Sequence, residues 1–463
     1  MDELNRETCS TISLELVDGF PDLLSLHQVD KARYPFLLES VAHGTTEARF
    51  DILFAFPQSS LTLKNDSLTS SHLETRGHDF LDNLDKWWRE TDNVSCSDIE
   101  LPFQGGWFLY LGYELAGQVE PGLELPINTH EIVAQAVRIP AAVIRDHVTQ
   151  RCWIICEKDF SDYVSVIQAD ISHTCDSNDS HNIQVETITE DDAQQYLDAV
   201  EKIRRYIIDG DIFQVNLSRQ WSAHLKSSTQ NTALYRSLRR NNPAPFAGIA
   251  ELDNMAVISS SPERLVSVKG NKVETRPIAG TRPRGDRLED DQALSGELLG
   301  HPKERAEHIM LIDLERNDLG RVCIPGSIEV NELMVLESYA HVHHIVSNVR
   351  GRLKAGTSPG QVIRAVFPGG TITGCPKVRC MEIIAELEQT PRGAYTGSMG
   401  YLNHNGDMDL NILIRTMTCQ DDTLTLRAGA GIVADSVPEY ELKETHAKAK
   451  GLLRVLDADE GDA

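Results

Sequence analysis

Two pairs of glutamates have the spacing of residues that share one face of a helix. Glu304 and Glu307 are three residues apart in KERAEHIMLIDLERNDLG, and Glu441 and Glu444 have the same spacing in EYELKETHAKAK. On a helix, each pair projects its carboxylates from one side. Two facing pairs would supply the hard oxygen ligands that suit Mg²⁺. Each pair taken alone is more typical of a solvated helix face.

A glycine-rich segment, FPGGTITGCPK, has the glycine spacing of a phosphate-binding loop at Gly369 and Gly374. Cys375 and Pro376 stand where such a loop needs lysine and serine or threonine, which excludes a nucleotide site of that kind. What remains is a turn into a helix, with Pro376 suited to the first helical position. Backbone N–H groups there, with Thr371, could bind a carboxylate. A simple tight turn is the alternative.

Two further segments place glycine or arginine inside apolar strands. In TLTLRAGAGIVADSVP, Gly429 and Gly431 indicate close approach of the backbone to a small ligand, or a β-bulge. A dinucleotide site is disfavoured because the chain does not continue directly into a helix. In DLNILIRT, alternation puts Arg415 on the second face of a strand. It is then either an edge residue or a buried clamp for a carboxylate.

Three histidines occur in the segment HVHHIVSNV. On a strand, His341 and His343 share one face and His344 takes the other. The three rings therefore cannot converge on one metal ion, and zinc is not expected. One functional histidine is compatible with the pattern.

Strands and helices that could position these residues alternate along the chain. Predicted strands include ARFDILFAFP, RCWIICEK, DIFQVNLSR, MAVISS, LVSVK and HVHHIVSNV. Helices are predicted at 302–318, 376–388 and 437–456, and another from an N-cap at Thr189 to Gly210. The polar stretch between about 168 and 189 reads as a linker. It would divide an N-terminal part, 1–168, from a part at 189–460 that is richer in candidate chemistry.

Composition narrows the class of protein. The chain has 463 residues, 41% of them apolar and 25% charged, which fits a globular protein with a large core. No apolar run is long enough to span a membrane, and the acidic N-terminus lacks the order of a secretory signal. Nine scattered cysteines without a CxxC pair favour reduced thiols and a cytoplasmic location. A net charge of −26 disfavours nucleic acid and anionic membranes, so an anionic substrate needs a locally positive site.

Taken together, these segments resemble the chorismate-utilising enzymes, in particular the synthase components that use ammonia. The matching blocks are GDIFQVNLSR, SSSPERL, RPIAGTRPRG, KERAEHIMLIDLERNDLGRV, HHIVSNV, FPGGTITGCPKVRCMEII, GDMDLNILIRT and AGAGIVADS, with weaker matches at RFDILFAFP and PFQGGWFLYLGYE. The resemblance implies one large α/β sandwich built on two antiparallel sheets. It also implies chorismate as the substrate and Mg²⁺ as the cofactor.

The resemblance implies a role for each acidic residue of the two pairs. Glu307 and Glu444 match the principal Mg²⁺ ligands, and Glu304 and Glu441 would support the ion through water. Lys448, one helical turn after Glu444, falls among the catalytic positions.

The same comparison of motifs implies how chorismate would be held. Arg415, Tyr395 and the backbone at Gly431 match the groups that bind the enolpyruvyl carboxylate. Gly280 would lie against the ring carboxylate that the metal binds. Mg²⁺ and Arg415 together would neutralise a dianion that the net charge of the protein opposes.

Further matches concern the chemical step. Glu263, in SSSPE, matches the general acid that protonates the departing C4 hydroxyl, and Thr371 and His344 would lie along the ring. Water-adding relatives carry a lysine base at the position of Gln214. Glutamine cannot take a proton, so ammonia is the expected nucleophile here. Ala279, in PIAGT, replaces the nucleophilic lysine of many aminodeoxychorismate-forming relatives, which argues against a covalent adduct.

Within the family, most distinctive residues favour formation of 4-amino-4-deoxychorismate, the precursor of p-aminobenzoate and folate. They are PFQGG, Asn216, His343-His344, Gly370, GSMGYL and LNILIRT. Ala279 favours the alternative, formation of anthranilate and pyruvate for tryptophan biosynthesis. LLES at 37–40 resembles a tryptophan-binding motif, so tryptophan is a candidate ligand of the N-terminal part. The chain has no glutaminase motif, and a separate glutamine amidotransferase subunit is expected to supply ammonia.

Overall fold

The computed structural model describes residues 6–8, 11–42, 48–91, 100–128, 131–174, 183–227, 229–284, 287, 291, 296–298, 300, 302–338 and 342–456. Within these residues the strands, numbered β1 to β24 in chain order, are Arg6–Thr8, Ile12–Val17, Phe36–Glu39, Phe50–Ala55, Ser60–Lys64, Ser67–Ser70, Gly106–Leu111, Ile132–Ile139, Ala141–Asp146, Arg151–Glu157, Val185–Glu190, Gln214–Leu225, Phe246–Leu252, Met255–Ser261, Arg264–Lys269, Lys272–Thr275, Ile278–Pro283, Glu329–Ser338, Val342–Arg352, Gly374–Cys375, Ser398–Asn403, Met408–Asn411, Thr416–Gln420 and Thr423–Ile432. The helices, numbered α1 to α10, are Leu23–Val29, Phe80–Glu90, Ala116–Val119, Asp162–His173, Ala193–Ile208, Asn231–Asn241, Pro302–Val322, Pro359–Val366, Lys377–Glu388 and Pro438–Leu456. Short 3-10 turns lie at Tyr113–Leu115, Lys158–Phe160 and Gly370–Ile372.

The strands form two antiparallel sheets. The first sheet has the order β1-β2-β10-β9-β4-β3-β13-β14-β23-β24-β12-β11, with β20 paired to β12. The second sheet has the order β17-β19-β16-β15-β22-β21-β7-β8-β5-β6, with β18 paired to β19. This architecture confirms the predicted sandwich of two antiparallel sheets.

Three layers of apolar side chains hold the sandwich together. Between the sheets, Phe36 and Phe54 of the first sheet pack on Phe108 of the second, and the Phe36 and Phe108 rings stack with centroids 4.0 Å apart. Helices α2, α7 and α8 bury apolar residues on the outer face of the second sheet. Helices α1, α4, α6 and α10 do the same on the first. Each sheet thus buries both faces, which explains why many strands read as continuous apolar runs.

Both sheets combine strands from the two ends of the chain. The first sheet joins them where β3 pairs with β13, and the second where β7 pairs with β21. The predicted linker is wrong at both of its ends, because 168–173 belong to α4 and 185–189 belong to β11. Residues 175–182 lie outside the described part of the chain.

The four helices predicted from the sequence are all present, although some of them begin or end at other residues than predicted. The helices predicted at 302–318, 376–388 and 437–456 are α7, α9 and α10, with α7 extending to Val322. Thr189 does not cap α5, because it pairs within β11, and Asp192 accepts the capping bond from the Gln194 N–H at 2.8 Å. Pro376 is the N-cap of α9 rather than its first residue. No helix among the described residues is long and apolar enough to cross a membrane.

Candidate active site

A cavity of about 770 Å³ lies where ends of the two sheets meet helices α7 and α10. Thirteen of the fourteen residues singled out from the sequence line it: Gln214, Glu263, Ala279, Gly280, Glu307, His344, Thr371, Tyr395, Arg415, Gly431, Glu441, Glu444 and Lys448. The side chain of the fourteenth, Glu304, lies outside the described residues. The segments identified separately along the chain therefore converge on one site.

Arg415 reaches the cavity from a corner rather than from a strand face, so the predicted strand position is wrong. β22 of the second sheet ends at Asn411, and β23 of the first sheet begins at Thr416. Arg415 lies between them with a φ of 51°. Its guanidinium makes no hydrogen bond or ion pair with the other described residues, and burial lowers its pKa, against the attraction of Glu263. A half-buried, desolvated cation with no counterion in the described part of the chain is a strong site for an anion.

Glu263 is a buried carboxyl in the tight connection between β14 and β15. It is 5% exposed, and burial raises its pKa to about 7. The Thr371 hydroxyl, the Ile278 backbone and the charges of Lys448 and Arg415 act against that shift. A carboxyl with such a pKa holds and releases a proton near neutral pH, as a general acid must.

His344 and Gly280 face each other across neighbouring strands. The pairing of β17 with β19 shifts between Ala279 and Thr281, which makes Gly280 a bulge with a φ of 71°. Burial, together with the charge of Arg415, lowers the pKa of His344 to about 3, against the effect of a hydrogen bond with the Gly280 backbone. His344 is therefore a neutral ring in the cavity at physiological pH.

His343 points away from His344, as the strand pattern predicts. Its Nδ1 lies 2.7 Å from the Ser338 hydroxyl, and its Nε2 lies 2.9 Å from Oδ1 of Asp291. His341 lies outside the described residues. The two histidines of this segment that the structure describes therefore face different surroundings.

The glycines of β24 allow side chains of β12 to enter the cavity. β12 and β24 pair without a shift of register, so the bulge considered from the sequence is absent from this pair. A Cβ at Gly429 would lie 2.5 Å from Oδ1 of Asn216 and 2.8 Å from the Tyr395 hydroxyl. A Cβ at Gly431 would overlap Nε2 of Gln214. Close backbone approach is thus the reason for glycine at both positions.

Carboxylates and one lysine line the helical wall of the cavity. Nε2 of Gln214 donates to Oε1 of Glu307 at 2.9 Å, which fixes the orientation of both side chains. Lys448 donates to the Gly429 carbonyl at 2.9 Å and lies 2.8 Å from Oε1 of Glu444. Burial opposes the charge of Lys448, but Glu444 raises its pKa overall. Among the described residues, no three potential metal ligands are grouped closely enough to enclose an ion by themselves.

Several polar atoms in the cavity wall are buried without a well-aligned hydrogen bond to the described part of the protein. They are Oε1 of Gln214, Oδ1 of Asn216, Oε1 of Glu263 and Oγ1 of Thr371. Buried polar groups usually have partners, because leaving them unpaired costs free energy. Three of the four are acceptor oxygens, so their concentration around one cavity indicates a ligand with hydrogen-bond donors, while Arg415 indicates that the ligand also carries an anionic group.

A buried ionic cluster supports the wall and was not predicted. Arg427, which also lines the cavity, lies 3.0 Å from Oε2 of Glu388, and Arg392 lies 2.6 Å from Oε1. The N–H and hydroxyl of Ser218 each donate to Glu388 at 2.8 Å. Its charged partners lower the pKa of Glu388 despite burial. The sequence feature that could have indicated this cluster is Arg427, a charged residue directly before the AGAG segment in an apolar strand.

A second, smaller cavity of about 90 Å³ adjoins LLES. It lies at the seam of the sandwich, between Glu39 and Ser40 on one side and Met399 and Tyr401 on the other, and Asp409 also lines it. Tyr235 donates to Glu39 at 2.7 Å. The cavity thus combines carboxylates with an aromatic wall.

This constellation is that of an enzyme that binds a small anion, and the chain belongs to the chorismate binding enzyme family, whose profile matches residues 35–454. It is 41% identical to the aminodeoxychorismate synthase component 1 of Bacillus subtilis over 92% of this chain and 93% of that protein. It is 37% identical to the anthranilate synthase component 1 of Aquifex aeolicus over 93% of this chain and 91% of that one. The crystal structure of anthranilate synthase component I from Streptococcus pneumoniae superposes with a TM-score of 0.79 at 32% identity, covering 89% of this chain and 93% of that chain.

Proposed function

We propose that the chain aminates chorismate to 4-amino-4-deoxychorismate, as the synthase component of an aminodeoxychorismate synthase. The observation that supports this most directly is that the Arg415 guanidinium, which has no ion pair among the described residues, lines the same cavity as the Glu263 carboxyl. Chorismate carries two carboxylates and a ring hydroxyl that must leave as water. A fixed cation and a proton donor are the two groups that this reaction requires.

Arg415, with Tyr395 and the backbone at Gly431, would hold the enolpyruvyl carboxylate. Gly280 would lie against the ring carboxylate, with Thr371 and His344 along the ring. A neutral His344 can donate one hydrogen bond without adding charge. Lys448, held between Gly429 and Glu444, adds a second positive charge to the cavity.

Magnesium would bind between α7 and α10. The carboxylates of Glu307 and Glu444 line the same cavity, and Glu441 lies one turn before Glu444. This donor set fits Mg²⁺, which takes one or two protein carboxylates and meets other ligands on the substrate and in water. The ion would neutralise the ring carboxylate and polarise the substrate. Glu304 and Glu441 would contact it through water.

Ammonia is the proposed nucleophile, held by Gln214, whose amide cannot act as a base. Ammonia adds at C2 of the ring while the C4 hydroxyl leaves, and Glu263 donates the proton that converts this hydroxyl to water. The new ammonium group returns a proton to the Glu263 carboxylate. Because Ala279 offers no nucleophile, the 4-amino product then requires a second ammonia at C4, with loss of the C2 amine as ammonia.

A glutamine amidotransferase subunit would supply the ammonia. The B. subtilis relative is named as component 1, which implies a partner component. Ammonia in neutral solution is mostly ammonium, which has no lone pair for attack. Delivery from a bound glutaminase would overcome this limitation.

Tryptophan is proposed as a ligand of the cavity at LLES, with the catalytic role assigned to 189–460 and the tryptophan role to 1–168. Glu39, which pairs with Arg239, and Asp409, which pairs with Arg264, provide polar oxygens in its wall, and Phe50 and Tyr401 offer rings for an indole. L-tryptophan should raise the melting temperature of the protein, whereas L-alanine should not. An unchanged melting temperature at millimolar tryptophan would remove this ligand from the proposal.

Product analysis with chorismate, Mg²⁺ and ammonium salt tests the catalytic assignment. We expect chorismate to be consumed and 4-amino-4-deoxychorismate to form, detected as p-aminobenzoate after addition of an aminodeoxychorismate lyase. Anthranilate and pyruvate as the sole products would identify the alternative, an anthranilate synthase component. Failure to consume chorismate under any of these conditions would refute both.

A further inference from the structure

A second buried carboxyl lies behind the active site, on the helix that carries Glu307. Glu315 of α7 is 6% exposed, and its Oε1 lies 3.5 Å from the position that a Cβ at Gly370 would occupy. The neighbouring Leu314 fills the rest of that contact, so Gly370 rests directly on α7. Glu315 thus lies beneath the 3-10 turn Gly370–Ile372, which presents Thr371 to the cavity.

The charges around Glu315 do not balance. On its own helix it faces Asp318, which is 2% exposed, and from α9 it faces Lys377, whose Nζ donates to Oδ2 of Asp318 at 2.5 Å. The strand β16 contributes the neutral hydroxyl of Thr275, and the β14–β15 connection contributes Glu263. Lys377 is therefore the one cation that this group of three buried carboxyls has near Glu315, while Arg415 and Lys448 act on Glu263 from the cavity side, so that ionising all three carboxyls is costly.

Glu315 holds its proton more firmly than Glu263 does, since its pKa is the higher of the two. Burial and the repulsion of Asp318 raise its pKa to about 8, and Glu263 adds to that shift against Lys377 and Thr275. Glu263 becomes a carboxylate each time it protonates a leaving group. A second carboxylate at Glu315 would oppose that ionisation in the same low-dielectric region.

We propose that Glu315 is a positioning residue for catalysis, whose carboxyl packs beneath the turn Gly370–Ile372 and keeps Thr371 beside Glu263. This inference rests on the proposed function, because it assumes that Glu263 is the general acid. Glu315 itself does not touch the cavity that would hold chorismate.

Two variants separate the effect of the shape of the Glu315 side chain from the effect of its charge. Glu315→Gln keeps the size of the side chain and is permanently neutral, so it should retain kcat within about twofold at pH 7. Glu315→Asp withdraws the carboxyl by one methylene from Gly370 and should lower kcat by roughly tenfold, with KM for chorismate within about twofold, because the turn loses its support. Asp313→Asn on the exposed side of α7 is the matched control and should behave as wild type.

The pH profile gives the readout that a merely structural role would not change. Chorismate consumption is measured at saturating free ammonia held constant across pH 6–10, so that the product formed does not matter. Above about pH 8 the logarithm of kcat should fall with a slope approaching −2 in the wild type, since Glu263 and Glu315 both ionise. In Glu315→Gln the slope should stay near −1.

The outcomes distinguish the two proposals. A wild-type protein that consumes no chorismate refutes the proposed function itself. If the wild type is active, equal slopes in the wild type and Glu315→Gln, or wild-type kcat in a folded Glu315→Asp, overturn the role of Glu315 alone. Thermal melting of each variant confirms that the comparison is made between folded proteins.

Discussion

Glu263 faces the strictest chemical requirement of the residues in the cavity, because a general acid must hold a proton until the transition state. Its raised pKa of about 7 meets this condition below neutral pH. Glu263→Gln should therefore lower kcat by roughly two to four powers of ten while KM for chorismate changes little. In the wild type, kcat should begin to fall as pH rises through 7, because the protonated fraction of Glu263 falls, and it should fall more steeply above about pH 8, where Glu315 also ionises.

Glu329→Gln is a suitable control for this substitution, because Glu329 is an exposed glutamate that pairs with Arg350. It should leave kcat and its pH profile unchanged. A Glu263→Gln protein that loses substrate affinity but keeps its turnover would show that Glu263 binds chorismate rather than protonating it.

The proposed Mg²⁺ site depends on the carboxylates of Glu307 and Glu444. Glu444→Gln retains the shape of the side chain but removes a charged ligand, so turnover should collapse while the fold survives. Mg²⁺ with chorismate should raise the melting temperature of the wild type and not that of the variant. Glu439→Gln, in the first turn of the same helix, is the control. Full activity in excess chelator would contradict the assignment.

Ala279 decides between a direct and a covalent route. A methyl group cannot attack the ring, so intact-mass spectra recorded during turnover should contain the unmodified chain alone. A ring-sized adduct on a lysine would refute direct addition, although not the family. Ala279→Lys is the converse test, since Ala279 is 6% exposed and lines the cavity. An adduct at that position would show that the geometry still supports the covalent route.

At the scale of elements, the sequence predicted the strands and helices whose positions follow from local hydrophobic periodicity. Period-two alternation located β14 and β19, and helical spacing located α7 and α10 within a few residues. Arg415 was misplaced because its segment crosses from one sheet to the other, and tertiary packing overrides a continuous strand pattern there. The linker was misplaced for a similar reason. β11 is polar because it is an exposed edge strand that pairs through its backbone.

Site residues could be predicted where they lie within short motifs, but not where the fold brings them together from distant segments. Glu263 and Thr371 lie in compact motifs that resemble the family. Glu388 and Arg392 lie four residues apart, but Arg427 comes from a separate segment, and its pairing with Glu388 depends on the fold. Glu315 likewise gave no signal, because a glutamate within ERND on a helix reads as solvated until its burial is known.

The close contact between β12 and β24 leads to a testable prediction at the scale of elements. Gly431→Ala would push against Nε2 of Gln214 and displace it from Glu307. We expect kcat/KM for chorismate to fall by at least about tenfold, since two residues of the cavity move together. Gly320→Ala in α7 is the control, because a Cβ there meets nothing within 4 Å. Equal kcat/KM in both variants would contradict the close approach inferred for β24.

At the scale of the whole molecule, the net charge of the chain opposes the anionic ligand proposed for the site. The chain carries a net charge of −26, yet Arg415 and Lys448 face a cavity proposed for a dianion. Long-range repulsion slows the approach of an anion, and only local cations reverse it. The fold therefore has to place these cations beside the carboxylates of the cavity, Arg415 from a corner between the sheets and Lys448 from helix α10.

The two sheets also predict how the molecule unfolds. A chain of 463 residues usually divides into independent domains, but here β3 pairs with β13 and β7 pairs with β21, so neither part has a complete sheet. We expect one calorimetric transition, with equal calorimetric and van 't Hoff enthalpies. Separate chains covering 1–168 and 189–460 should each lack a cooperative melting transition, because each would expose the strand edges and the inner face that the other covers. Two resolved transitions in the intact protein, or a cooperative transition in the isolated C-terminal chain, would show instead that the parts fold independently.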